Sequence, residues 1–313
     1  VVHIRIEGAI AMRLGNRAAA GPAAAGPGRF RRSAADPPRA TALLSGLPRA
    51  APPPVPVPRP AAPAAPRLHA RVTGPPDAPY EVVCVPGLGC SHRYFAPFAR
   101  ALAPEVRVTA VDLPGFGRSP GPAAALDIRG LAAALADWLR ATGRTGLPLV
   151  ANSMGCQVVV DLAVHAPDVA GPLVLNSPTV DPAARSAVRQ LARMARDTIR
   201  EPPALVPVVA RDYLRCGPGR LAATLRHALA DPIERKLPNV AVPAVVVRGA
   251  RDPVVPHAWA AEAARLLPRG HLVEIPGAAH AVNFSTPAPL AHITRTLLPA
   301  TARPCPAPAF GPA

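Results

Sequence analysis

Residues 151–155 read Ala-Asn-Ser-Met-Gly, a small-x-Ser-x-Gly spacing with the strand-like run LPLVA before the serine and a small-residue helical stretch after it. A tight strand-to-helix turn of this kind holds its central residue in a strained backbone conformation. It admits only small side chains two places before and two after, here Ala151 and Gly155. A serine hydroxyl so presented becomes a nucleophile once a neighbouring base takes its proton. Other chemistries find less support. The glycines of VPGLG (85–89) are not followed by Lys-Ser/Thr, so no nucleotide loop is expected. Cys84, Cys90, Cys156, Cys216 and Cys305 are odd in number and scattered, with no CxxC and no paired His spacing, so no metal is expected. Cys84 and Cys156 read as small core residues.

Strand-like and helix-like segments alternate from residue 67 onward, the pattern of a mostly parallel sheet with helices on both faces. The runs EVVCV (81–85) and VRVTAV (106–111) predict strands, and Phe95, Phe98, Ala99 and Leu102 between them predict a helix over 92–103. Further strands are expected over 147–151, 172–176, 242–248 and 271–275, and further helices over 126–142, 154–165, 257–267 and 287–298. Residues 178–240 break the rhythm, reading as consecutive helices without a strand. The expected fold class is therefore α/β, with a core over 67–177 and 241–300 and an inserted helical cap over 178–240. Such a cap would lie over the carboxyl ends of the strands, where open α/β sheets bind ligands.

Residues 1–66 cannot build a core: 13 Pro and 18 Ala fill much of the segment, and nine Arg stand against only Glu7 and Asp36. A disordered arm is expected there, and a flexible tail over 301–313. The net charge of +16 invites a nucleic-acid partner, yet Lys236 is the only lysine among 35 basic residues. Arg, Ala, Pro and Gly share GC-rich codons, so the charge reflects composition rather than a basic groove. Aromatic residues at 4% are too few for a base-stacking platform, and no nucleic-acid partner is expected. No run of about 18 uncharged apolar residues exists to span a membrane. Arg13 and Arg17 interrupt any secretory signal, so the expected location is cytoplasmic.

Four further motifs extend the Ser153 pattern. VPGLG follows the first clear strand, DLPGFGRS (112–119) follows the next, and GARDPVVP (249–256) and PGAAH (276–280) each follow a late strand. Together with ANSMG these resemble the α/β-hydrolase fold family across residues 70–300, with Ala151 where the family usually has Gly and Pro86 where relatives commonly have His. The resemblance implies a triad of Ser153, Asp252 and His280, in the chain order that fold uses, and an oxyanion hole from the backbone N–H groups of Leu88 and Met154. Asp181 is a rival for the acid. His257, His271 and His292 compete with His280, although only His280 occupies the loop after the last strand. Asp112 is expected to hold the PGFG turn.

Within the cap, Arg185, Arg189, Arg193, Arg196 and Arg200 fall on one helical face, and Val188, Leu191, Ala195 and Ile199 on another. That cationic face is either solvated or recruits an anionic substrate. In the first case substrate choice would fall to the apolar side around Leu205, Val208, Tyr213 and Leu214, with Tyr213 and Leu214 as substrate-binding residues. The expected activity is a cofactor-independent serine hydrolase acting on a small-molecule ester, thioester or related carbonyl compound. Carbon–carbon bond hydrolysis, lyase or cofactor-free synthase chemistry on the same triad is the alternative, and a ligand-binding protein on the same scaffold is a third.

Overall fold

The computed structural model describes residues 67–103 and 105–299; the arm and tail expected above lie outside the described residues. Seven strands form one sheet: β1 (Ala70–Thr73), β2 (Tyr80–Val85), β3 (Val106–Val111), β4 (Leu149–Asn152), β5 (Leu173–Asn176), β6 (Ala244–Gly249) and β7 (Gly270–Ile275). Their order is β1-β3-β2-β4-β5-β6-β7, and all neighbours run parallel except β1 against β3. Edge strand β1 was not expected. It is four residues long and pairs Ala70 with Val111, and it carries no apolar run to announce it.

Successive side chains of a strand leave on opposite faces, and β2 shows the result. Val83 and Val85 join the core formed with α2 (Ile128–Ala141), α3 (Met154–His165) and α8 (His257–Leu266), whereas Val82 and Cys84 join the core formed with α1 (Ala96–Leu102) and α10 (Pro287–Arg295). Because both faces are covered, the strands are buried along most of their length, and the polar residues they carry, such as Glu81 and Thr109, are bonded to one another. Helix α2 buries Ile128, Leu131, Ala132, Leu135 and Leu139, the stripe of a one-sided helix, and Asp127 caps it by accepting from the Gly130 N–H at 2.7 Å. The helix expected over 92–103 divides into a 3-10 turn (His92–Phe95) and α1, with Pro97 in the first turn of α1, where its missing N–H costs nothing.

Between β5 and β6 the chain is helical: α4 (Ala187–Thr198), α5 (Leu205–Cys216), α6 (Pro218–Ala230) and α7 (Ile233–Lys236). A short helix α9 (Val282–Ser285) precedes α10. Among the described residues no helix is long and apolar enough to cross a membrane.

Helix α4 departs from its pattern. It buries Gln190 and Asp197 and leaves Val188 and Ile199 at 78% and 84% exposure. Nor are its arginines a uniform solvated face. Arg185 bonds Glu234 at 2.6 Å, Arg189 the Ala183 carbonyl at 2.8 Å, and Arg193 the Asp181 carboxylate at 2.8 Å.

Candidate active site

Ser153 sits between β4 and α3 with φ 56° and ψ −123°, the strained elbow that the spacing predicts. The glycine two places on is dictated by contact: a Cβ at Gly155 would lie 2.4 Å from the Val85 carbonyl oxygen, so helix and strand could not approach. Met154 opens α3, and its N–H is one of the first-turn donors without an intrahelical acceptor. Leu88 lies on the loop after β2, beside the same cavity as Ser153 and Met154.

Asp252 and His280 come from the loops after β6 and β7. The loops meet because Gly249 has no side chain; a Cβ there would stand 2.1 Å from the Ala279 carbonyl oxygen. Asp252 Oδ2 is 2.9 Å from His280 Nδ1, while Oδ1 accepts the N–H groups of Val254 at 2.7 Å and Val255 at 3.1 Å. Three structural bonds therefore fix the carboxylate, and the carboxylate fixes the imidazole, leaving Nε2 as the nitrogen free for proton transfer. Burial works to raise the Asp252 pKa, but His280, the Val255 N–H and the Ser177 hydroxyl outweigh it and hold it below its ordinary value. Burial works to lower His280, but Asp252, Asp197 and Glu201 overcome it and push the imidazole up to about 9.

The rival assignments fall elsewhere. Asp181 is occupied by Arg193 at 2.8 Å and by the Ala183 N–H at 2.9 Å. His257 pairs with Glu274 at 3.0 Å, and His271 and His292 are exposed. Tyr213 faces the cavity, where Gly89 leaves room for its ring. Leu214 does not: it is 84% exposed, since the next residue along a helix is rotated about 100° away, and contrary to expectation it lines no part of the cavity. Of the remaining residues expected on the cap's apolar side, Leu205 lines the cavity and Val208 does not.

Several supporting residues escaped the sequence reading. Asn152 donates to the carbonyls of Asn176 and His280 at 3.4 and 3.3 Å, and Asn176 donates to Asn283 at 3.1 Å, tying β4, β5 and the histidine loop together. From α5, buried Asp212 accepts the Ser91 N–H at 2.7 Å, anchoring the insert on the loop after β2. From α4 and the turn beyond it, Asp197 Oδ1 accepts the His280 N–H at 3.1 Å and Glu201 Oε1 the Ala281 N–H at 2.6 Å. Gln190, Met194, Asp197 and Glu201 recur at helical spacing, a signal that the apolar pattern of α4 concealed.

Ser153, His280 and these insert residues line one cavity of about 290 Å³. A separate cluster, His69, His92 and Asp112, brings three side chains of metal-ligand type within 4.8 Å. Asp112 is already committed there: it accepts the N–H groups of His92 at 2.6 Å and Arg118 at 2.8 Å and holds His92 Nδ1 at 3.0 Å. The cluster thus has the form of a hydrogen-bonded core around the PGFG turn.

A family model described as "Alpha/beta hydrolase family" matches residues 82–293, more than half of the chain. The chain belongs to that family. Among curated relatives of this alpha/beta hydrolase is a putative carbamate hydrolase RutD from Pseudomonas savastanoi pv. phaseolicola, 29% identical over 246 residues, covering 71% of this chain and 93% of that protein. Lipase LipV from Mycobacterium tuberculosis is 32% identical over 199 residues, covering 60% and 74%. Among solved structures, an esterase from Thermogutta terrifontis aligns with TM-score 0.62 at 23% identity over 73% of this chain and 92% of that one. An enol-lactonase from Burkholderia xenovorans LB400 aligns with TM-score 0.62 at 20% identity over 74% and 95%. At such identities these two carry the fold alone.

Proposed function

We propose that this chain, a hydrolase of the alpha/beta hydrolase family, cleaves an ester, thioester or related carbonyl compound through an acyl-enzyme formed on Ser153. The observation that carries this reading is the 2.9 Å pair of Asp252 and His280 at the same cavity as the strained Ser153 elbow. His280 in its neutral form takes the Ser153 proton as the hydroxyl attacks the carbonyl carbon. Asp252 stabilises the imidazolium that forms. The oxyanion that develops is received by the N–H groups of Leu88 and Met154. His280 then returns the proton to the departing group, and the same steps with water in place of Ser153 release the acid. The insert acts as a cap that shapes the acyl and leaving-group space.

Incubation with a fluorophosphonate followed by intact mass and peptide mapping tests the assignment. A single adduct on Ser153, abolished in Ser153→Ala, is the expected result. An unlabelled but folded protein would favour a ligand-binding role for the same cavity.

A further inference from the structure

In a chain of net charge +16, the described residues that line the cavity include two acids, Asp197 and Glu201, and no Arg or Lys. Both acids come from the insert, and each spends one oxygen on the loop that carries the base, through the N–H groups of His280 and Ala281. Their second oxygens are left over. Among the described residues no donor reaches Asp197 Oδ2, although Asp197 is only 8% exposed. Glu201 Oε2 is buried without a partner; the nearby Ser285 hydroxyl, which also bears on Glu201, donates to the Ala281 carbonyl at 3.0 Å.

A fully buried carboxylate oxygen without a donor, as at Glu201 Oε2, is costly, and a ligand that supplies a donor recovers that cost. Burial pushes both carboxyls up from the ordinary carboxylate range, as it does for acids short of a cation. The groups acting on Asp197 are His280, through its charge and its backbone N–H, Asp252 and the exposed Arg200; those acting on Glu201 are the Ala281 N–H, Asp197, His280 and the Ser285 hydroxyl. When His280 is neutral and ready to act, the described lining of the cavity holds carboxyl groups and no cationic side chain.

The location decides which part of the substrate would meet them. The base returns its proton to the leaving group, so the leaving group departs beside His280, and Asp197 and Glu201 hang from the backbone of that same residue and its neighbour. We propose that Asp197 and Glu201 are specificity-determining residues that accept from an ammonium or other N–H donor on the leaving group and turn away leaving groups bearing a carboxylate. This rests on the hydrolase reading above, and it replaces recruitment of anionic substrates by the arginines of α4.

Three thiobutyrate esters of matched size test it, with thiol release followed by a disulfide reagent. Their leaving groups are 2-(dimethylamino)ethanethiol, its neutral isostere 3-methylbutanethiol, and 3-mercaptopropionate. After correction for each ester's hydroxide-catalysed rate, kcat/KM should favour the ammonium over the neutral ester by about tenfold and the neutral over the carboxylate by a similar factor. In the double variant Asp197→Asn, Glu201→Gln the ammonium-to-neutral ratio should fall to within about twofold. The ratio is read within each protein, so a general change in rate cancels. Wild-type enzyme that treats the three esters alike overturns the proposal, as does a ratio that survives in the double variant. Should the double variant not fold, the single variants Asp197→Asn and Glu201→Gln are each expected to reduce the ratio, and an undiminished ratio in both overturns it. Failure on the neutral ester together with absence of phosphonate labelling would instead sink the hydrolase reading itself.

Discussion

On β2, neighbours Val82 and Val83 enter opposite cores as strand geometry requires, whereas α4 turns Gln190, Met194 and Asp197 inward and leaves Val188, Leu191 and Ile199 in water. The sheet packs mostly against hydrocarbon on either side, with Glu81, Thr109 and Arg144 as a mutually bonded exception, so burial of apolar area decides which way most of its residues point. The insert meets the polar end of the sheet, where the N–H groups of His280 and Ala281 and the carboxylate of Asp181 need partners. An unpaired buried donor or charge costs more than a half-exposed Val or Ile gains, so polar complementarity decides there. The two regions thus obey different rules within one chain, and the boundary between them runs through the cavity.

The largest expected effect tests the sheet side. Ser153→Ala removes only the hydroxyl from an elbow whose geometry is set by β4, α3 and Gly155. Ester turnover should fall by roughly four to six orders of magnitude in kcat, with an unchanged melting curve. Retention of a tenth of the wild-type rate on p-nitrophenyl acetate would remove Ser153 from the chemistry.

Asp252→Asn should lower kcat by about 10³–10⁴, since an amide favours the wrong imidazole tautomer and cannot stabilise the imidazolium. Asp181→Asn should cost less than about tenfold, because Asp181 pairs with Arg193 and its loss acts only through the seating of α4. Parallel kinetics on the two variants would break the comparison if the order reversed.

Asp252, with the insert's acids adding to it, also predicts a pH profile. With His280 pushed up to about 9, the neutral base is scarce at pH 7, and kcat/KM should climb with pH to a midpoint near that value. The sign for stability is opposite. A folded-state pKa above the unfolded value of about 6.5 means that this interaction stabilises fully below pH 6.5, and that its contribution is lost as pH rises through about 9. A flat rate between pH 6 and 9, or a denaturant midpoint that increases over that range, would contradict the charged environment assigned to His280.

Glycines divide along the same line. Gly249→Ala would drive a Cβ to 2.1 Å from the Ala279 carbonyl oxygen, between the two loops that carry the proposed acid and base, and should cost several kcal/mol, of the order of a severe core clash. Gly219, within α6 of the insert, has open space for 4 Å around the point where an alanine methyl would stand, and Gly219→Ala should stabilise by about 0.5–1 kcal/mol. Thermal melts of both variants report the difference.

Much of the sheet was legible because its strands are short apolar runs, several of them β-branched: VRVTAV is β3 residue for residue, and α3 spans the expected 154–165. The candidate site residues could be proposed from the sequence for a related reason, since Ser153 directly follows β4 and Asp252 and His280 lie in the short loops after β6 and β7. Strand β1 was hidden because an exposed edge strand needs no apolar pattern. Asp197, Glu201, Asp212 and the Asn152–Asn176–Asn283 set were hidden for a different reason. Their partners are backbone N–H and carbonyl groups more than 20 residues away or side chains of other elements, and no local period records such a partner.

The smallest expected effect is the sharpest test of the rule for the insert. By its periodicity Ile199 belongs to the apolar side of α4, and a buried isoleucine replaced by serine would cost about 3 kcal/mol or more. At 84% exposure it has little area to lose, so Ile199→Ser should change stability by less than about 0.5 kcal/mol. Val82→Ser, in a strand residue with no exposure at all, supplies the contrast and should cost several kcal/mol, because it adds a hydroxyl to a hydrocarbon core as well as removing a methyl. Chemical denaturation of the two variants measures both. A large loss at Ile199 would mean that α4 buries its apolar side after all, and would carry Asp197 and Glu201 out of the cavity with it, because the two faces of one helix cannot both turn inward.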